Sequence, residues 1–229
     1  MTGTGTFLAS IAAVTLAALV LLSGRHEPVW ARGLARGFAV FCIVDAALAL
    51  LGVVGVSFHW PPSGAFYRAV DGATAMVGPL VVGVAVAAAL AAWWFGHRRM
   101  AAAFLASHWL VAGLAWYVAL AFAGFEVGKA AHDAEMRQFF LGSGYPVAFM
   151  YVVMAVEIAG ALGLLVARLR VAATILLGLV MLGAMATHAH NGDPFSDSLD
   201  AVRMLLLVAS IAVLGVYRSR SRAAAAGSA

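Results

Sequence analysis

Apolar runs of about twenty residues recur along this chain, and nearly every interruption between them carries arginine. "FLASIAAVTLAALVLL" is followed by Arg25, Arg32 and Arg36. A second apolar run, "LARGFAVFCIVDAALALLGVVGVSF", follows. A bilayer core of roughly 30 Å requires about 20 apolar residues of a helix. The composition agrees, with 64% hydrophobic and 10% charged residues and a mean hydropathy of +0.99. A soluble domain has about 25% charged residues, so the fold class is an all-α integral membrane protein. Helices satisfy their backbone polar groups within each segment, and the alternating pattern of a barrel strand is absent.

Seven spans can be delimited: Phe7–Leu22, Leu34–Phe58, Val70–Phe95, Met100–Phe125, Pro146–Ala167, Val171–Thr187 and Ala201–Tyr217. Ten of the fourteen basic residues fall in alternate connections and the tail: Arg25, Arg32, Arg36, Arg98, Arg99, Arg168, Arg170, Arg218, Arg220 and Arg222. The other four are Arg68, Lys129, Arg137 and Arg203. Positive-inside reasoning gives a seven-helix bundle with its N-terminus outside and its C-terminus in the cytoplasm. The start "MTGTGTFLAS" lacks the basic n-region of a signal peptide, so the first span is expected to be retained. Residues 1–99 read as a three-helix region, 100–217 as a four-helix region and 218–229 as a basic, disordered cytoplasmic tail. Cys42 is the single cysteine, which excludes an internal disulfide and a CxxC pair. The pI near 9.7 follows from this arginine pattern and does not indicate a nucleic-acid partner.

The acids cluster on the opposite side. Only Glu27 faces the cytoplasm, while Asp45 and Glu157 are expected deep within spans. An ionisable group at that depth is either a functional proton carrier or ligand anchor, or an interhelical hydrogen bond that fixes packing. Glu126 to Arg137, "EVGKAAHDAEMR", reads as a helical extension beyond the membrane, in which Lys129–Asp133 and Asp133–Arg137 pair four apart. Glu126, nearest the membrane, is its best site candidate. His108 beside Trp109 is either a packing residue or a cofactor contact. "THAHNGDPF" holds His188, His190 and Asp193, which offer imidazole and carboxylate to a transition metal. The same residues also suit a helix-ending turn, with Asn191-Gly192 and Asp193-Pro194 as turn signals. Gly33-xxx-Gly37 and Ala155-xxx-Ala159 have the spacing of close helix contacts, and Gly78-Pro79 that of a bend.

From about Met100 onward the chain resembles the DoxX-like family of small four-helix membrane proteins. The resemblance rests on "FAGFEVGK", on "FFLGSGYPVAFMYVVMAVEIAGALGLL" and on "ARLRVAATILLGLVMLGAMATHAHNGDPF". Lys129, Gly144, Pro146, Glu157, His188, Asp193 and Phe195 take the family's motif positions. The three N-terminal spans have no counterpart in that pattern. The resemblance implies a membrane oxidoreductase component of the bacterial inner membrane, acting with a lipophilic quinone or a periplasmic partner. Glu157 would exchange protons, Lys129 and His108 would contact the cofactor, and the outer His/Asp/Glu patch would hold a metal or dock a donor. The chain has no flavin or nicotinamide fingerprint, so electrons would come from a metal or a partner.

Two other readings stay open. Glu157, Asp45 and Glu126 could serve as acid and base in isomerising or cyclising a lipid or isoprenoid, with Trp109, Trp116, Tyr117 and Tyr151 shielding a cation. The bundle could also be a non-catalytic small-molecule binder or carrier.

Overall fold

The structure is a computed structural model that describes residues 28–60, 66–68, 94 and 98–227. The helices in order are α1 (Pro28–Ser57), α2 (Arg98–Leu105), α3 (His108–Ala131), α4 (Asp133–Gly142), α5 (Val147–Leu165), α6 (Arg170–Asn191) and α7 (Leu199–Ala226). A 3₁₀ turn, Phe195–Ser198, precedes α7. No strand occurs among the described residues. Among the described residues, five helical segments are long and apolar enough to cross a membrane: Gly33–Ser57, His108–Ala131, Val147–Leu165, Arg170–Asn191 and Phe195–Ala224. The protein is therefore a multi-pass helical membrane protein. The spans expected at Phe7–Leu22 and Val70–Phe95, and the Gly78-Pro79 bend, lie outside the described residues.

The fourth span is displaced from its expected place. Ser107 adopts an extended backbone and its hydroxyl accepts a hydrogen bond from the Trp109 N–H at 3.3 Å, which starts α3 at His108. Residues 98–105 form the separate short helix α2, with Ala101 and Phe104 buried. The spanning helix thus runs to Ala131, and Glu126 and Lys129 lie in its last turns. The chain breaks at His132 and resumes as α4. At the other end of the sequence α7 continues through Arg222 to Ala226, where "RAAAA" supplies strong helix formers in place of the expected disordered tail.

Helix α3 is the central post. It packs on α1, α5 and α7, and buries Leu110, Leu114, Val118 and Phe122, among others. Helix α6 closes the bundle between α5 and α7. Lipid tails are as apolar as leucine, so helix association here depends on close packing. Gly113 provides it between α3 and α1, where an added Cβ would fall 2.6 Å from Ala39 Cα. Gly160 does the same between α5 and α6, against Leu177. The small-residue pairs expected to do this make no such contact among the described residues: a Cβ at Gly33 or Gly37 would meet none of them within 4 Å, and Ala155 and Ala159 are exposed. Gly113→Val should therefore cost about 1–3 kcal/mol, as overpacking does. Gly33→Ala should cost nothing measurable. Thermal unfolding in detergent compares the two, and equal midpoints would refute this packing.

One end of the bundle is basic. Arg36 lies over the Trp109 ring at 5.6 Å, and His108 is within electrostatic reach of Arg36, Arg218 and Arg222. At the opposite end two glycine turns meet. Gly144 (φ 82°) and Gly192 (φ 75°) take the left-handed conformation that ends α4 and α6. The Asn191 amide donates to Ser143 Oγ at 2.8 Å, and Tyr145 and Thr187 share a hydrogen bond of 3.2 Å. These bonds pin the α4–α5 turn against the end of α6.

Candidate functional site

Glu126 and Lys129 are three apart on α3 and so share a face. Lys129 Nζ donates to Glu126 Oε1 at 2.8 Å and, across the bundle, to Glu157 Oε2 at the middle of α5. Glu126 and Glu157 are buried, and Glu126 Oε2 has no partner among the described residues. An ammonium bonded to two carboxylates leaves one negative charge in excess. One added proton makes the cluster neutral, so it can hold or release a proton at little cost in buried charge. The expected Lys129–Asp133 pair does not form, because Glu157 draws Lys129 inward. Asp133 pairs with Arg137 at 2.7 Å as its spacing indicates. Outside the spans, that carboxylate raises the Arg137 pKa above its ordinary value through its hydrogen bond. Tyr151 joins them: its hydroxyl donates to Asp133 at 3.0 Å and accepts from Arg137 at 2.6 Å. This fixes α4 to α5.

The cluster lies at the meeting of two cavities. The larger, of about 790 Å³, is walled by Phe139, Phe140, Tyr145 and Phe149, with apolar residues of α6 opposite. The smaller, about 460 Å³, runs between α1, α3 and α7. Lys129, Glu157, His188 and Asp197 line both. The aromatic wall comes from "QFFLGSGYPVAF", whose phenylalanines and tyrosine were not among the expected site residues. Their signal was a cluster of rings around the Gly144 turn. Of the aromatic residues that were expected, Trp109, Trp116 and Tyr151 are exposed and line neither of these two cavities, whereas Tyr117 lines the smaller.

His188 and Asp193 form a pair at the rim. The Gly192 turn sends the Asp193 N–H back to the His188 carbonyl at 3.0 Å, which brings the Asp193 carboxylate to within 2.7 Å of His188 Nδ1. No group of three His, Cys, Asp or Glu side chains placed to hold a metal occurs among the described residues, and His190 is exposed at the helix end. Two residues apart on a helix means different faces, so His190 turns from the pair. His108 is exposed at the basic end, far along α3 from Lys129. Asp45 is buried in α1 and its Oδ2 lacks a partner among the described residues. It adjoins the smaller cavity at Ala46 and does not join the Lys129 cluster. Arg203, which sequence reasoning counted only as a loop charge, lines that cavity and pairs with Asp200 at 3.2 Å.

Residues 112–213 match the model of the DoxX-like family. This bears out the resemblance noted from the sequence. Glu126, Lys129, Glu157, His188, Asp193, Asp197 and Arg203 all lie within the match, whereas α1 with Asp45 lies before it. No curated protein and no solved structure shows significant similarity to the chain.

Proposed function

We propose that this chain, DoxX-like over residues 112–213, is a membrane oxidoreductase component that binds a lipophilic quinone in its aromatic cavity. The observation that carries the reading is the partly buried Lys129 ammonium, held between the buried Glu126 and Glu157 in the lining of that cavity. A quinone needs an apolar, ring-lined wall, donors for its carbonyl oxygens, and a source of protons. Phe140, Tyr145 and Phe149 supply the wall, and Lys129 and His188 the donors. A volume of about 790 Å³ falls in the range of small-molecule sites, roughly 300–1,000 Å³.

Reduction of the quinone to its quinol takes two electrons and two protons. The electrons come from a redox protein that docks at the end of the bundle that carries exposed Asp197 and Asp200. Glu157 passes protons to the quinone oxygen one at a time and recovers them from water through His188 and exposed Asp197. Positive-inside orientation puts this end on the outer face of the inner membrane, so the donor is periplasmic. The same acid–base cluster against an apolar cavity also suits the isomerisation of an isoprenoid double bond.

A quinone titration separates the two. Detergent-solubilised protein should bind decylbenzoquinone saturably. Gly183→Leu should weaken that binding roughly tenfold or more, or about 1.4 kcal/mol. Gly183 lines the aromatic cavity and its added Cβ would meet nothing within 4 Å, so the leucine fills the space without a clash. Quinone binding that is absent, or unchanged in the variant, would remove this reading.

A further inference from the structure

The smaller cavity has no part in holding a quinone ring, yet it opens onto the same polar cluster. It extends along α3 from Tyr117 to Gly128, about 16 Å at roughly 1.5 Å per residue. Leu50 and Val53 of α1 and Leu120 of α3 give it an apolar wall, and its polar groups gather at the α7 edge and at the Lys129 end. Gly124 and Gly128 form part of the α3 side. A Cβ at Gly124 would come no nearer than 3.9 Å to Val53, and one at Gly128 would meet nothing within 4 Å. These glycines keep a slot open, in contrast to Gly113, which closes the α1–α3 contact lower down.

We infer that this slot between α1 and α3 holds the hydrocarbon tail of the ligand whose head group sits at Lys129 and Glu157. The inference rests on the quinone reading and extends it: the substrate is a long-chain, membrane-resident quinone and not a short, water-soluble one. Shared walls decide the occupant. Lys129, Glu157, His188 and Asp197 line both spaces, so a molecule whose head group lies at these side chains can place its ring against Phe140 and Tyr145 and pass its chain between them toward α1. Helix α1 lies outside the DoxX-like match, so chain selectivity is a property that the N-terminal region adds.

The test compares two probes, a decyl-substituted benzoquinone and the same ring with methyl in place of decyl, titrated into wild type, Gly124→Leu and Gly128→Leu in one detergent. Partitioning into detergent is common to all three proteins and cancels in the ratio of affinities. The decyl-to-methyl affinity ratio should fall by about tenfold in either variant, with the methyl probe bound as well as by wild type. Gly124→Ala, which adds only an ordinary contact, should behave as wild type. An unchanged ratio, or equal loss of both probes, overturns the slot as the tail's place while leaving the ring site standing. If a bilayer lipid fills the slot instead, wild type will show no preference for decyl, and phospholipid retained by wild type through purification will be missing from Gly124→Leu. Failure of wild type to bind either probe overturns the quinone reading itself and the slot with it.

Discussion

Lys129→Met should destabilise the protein by about 3–5 kcal/mol, the cost of removing one partner from a buried ion pair. The ammonium is the only cation bonded to Glu126 and Glu157 among the described residues, and both carboxylates are buried. Without it two acids face each other in a low-dielectric interior. The protein then either unfolds more easily or takes up protons to neutralise them. The triple variant Lys129→Met/Glu126→Gln/Glu157→Gln should recover most of the loss, because replacing a whole buried ion cluster by neutral groups is often close to neutral for stability. Thermal or denaturant unfolding in detergent reads all of these proteins. A loss below about 1 kcal/mol in Lys129→Met would mean that the cluster is hydrated and weakly coupled.

Glu157→Gln separates stability from chemistry. The amide keeps the shape of the side chain, its oxygen can still accept from Lys129, and the remaining Glu126–Lys129 pair is electrically neutral. The fold should hold and quinone should still bind. Electrode-driven reduction of the bound quinone should slow by about 10²–10⁴-fold, the usual contribution of a positioned proton donor. Asp45→Asn serves as the control. Asp45 is as deeply buried but stands apart from the cluster, so its loss should change the rate far less. Equal losses in the two variants would mean that burial of charge, and not proton delivery to the quinone, sets the rate.

The sequence reveals spans better than it reveals partners. Hydropathy and arginine spacing located α1, α5, α6 and the start of α7 closely, because a bilayer imposes length and composition on each helix separately, but α7 runs on to Ala226 through the tail expected to be disordered. The fourth span slipped by several residues. A single serine cap at Ser107 decided where α3 begins, and local capping leaves no trace in hydropathy. That slip set Glu126 and Lys129 past the end of the span in the sequence reading, whereas both belong to the last turns of α3. Local spacing then favoured Asp133 as the partner of Lys129, whereas its partner Glu157 lies 28 residues away on another helix. The motif resemblance had aligned Lys129 and Glu157 without saying that they touch. His188, His190 and Asp193 read as a metal set because they are close in sequence, but the Gly192 turn returns only Asp193 to His188. The aromatic wall was overlooked although its signal was local: Phe139, Phe140, Tyr145 and Phe149 cluster around the Gly144 turn, and the cavity they face is completed by α6, which lies far along the chain. The aromatic residues that stood out, Trp109 and Trp116, face outward.

The most direct test of the whole account is the infrared difference spectrum of the reconstituted protein as bound quinone is reduced at an electrode. A carboxyl carbonyl band that changes with reduction, disappears in Glu157→Gln and persists in Asp45→Asn is the expected result. It would identify Glu157 as the group that gives its proton to the quinone. A spectrum with no carboxyl band, or a band that survives Glu157→Gln, would contradict the account and leave the Lys129 cluster as a structural tie between α3 and α5.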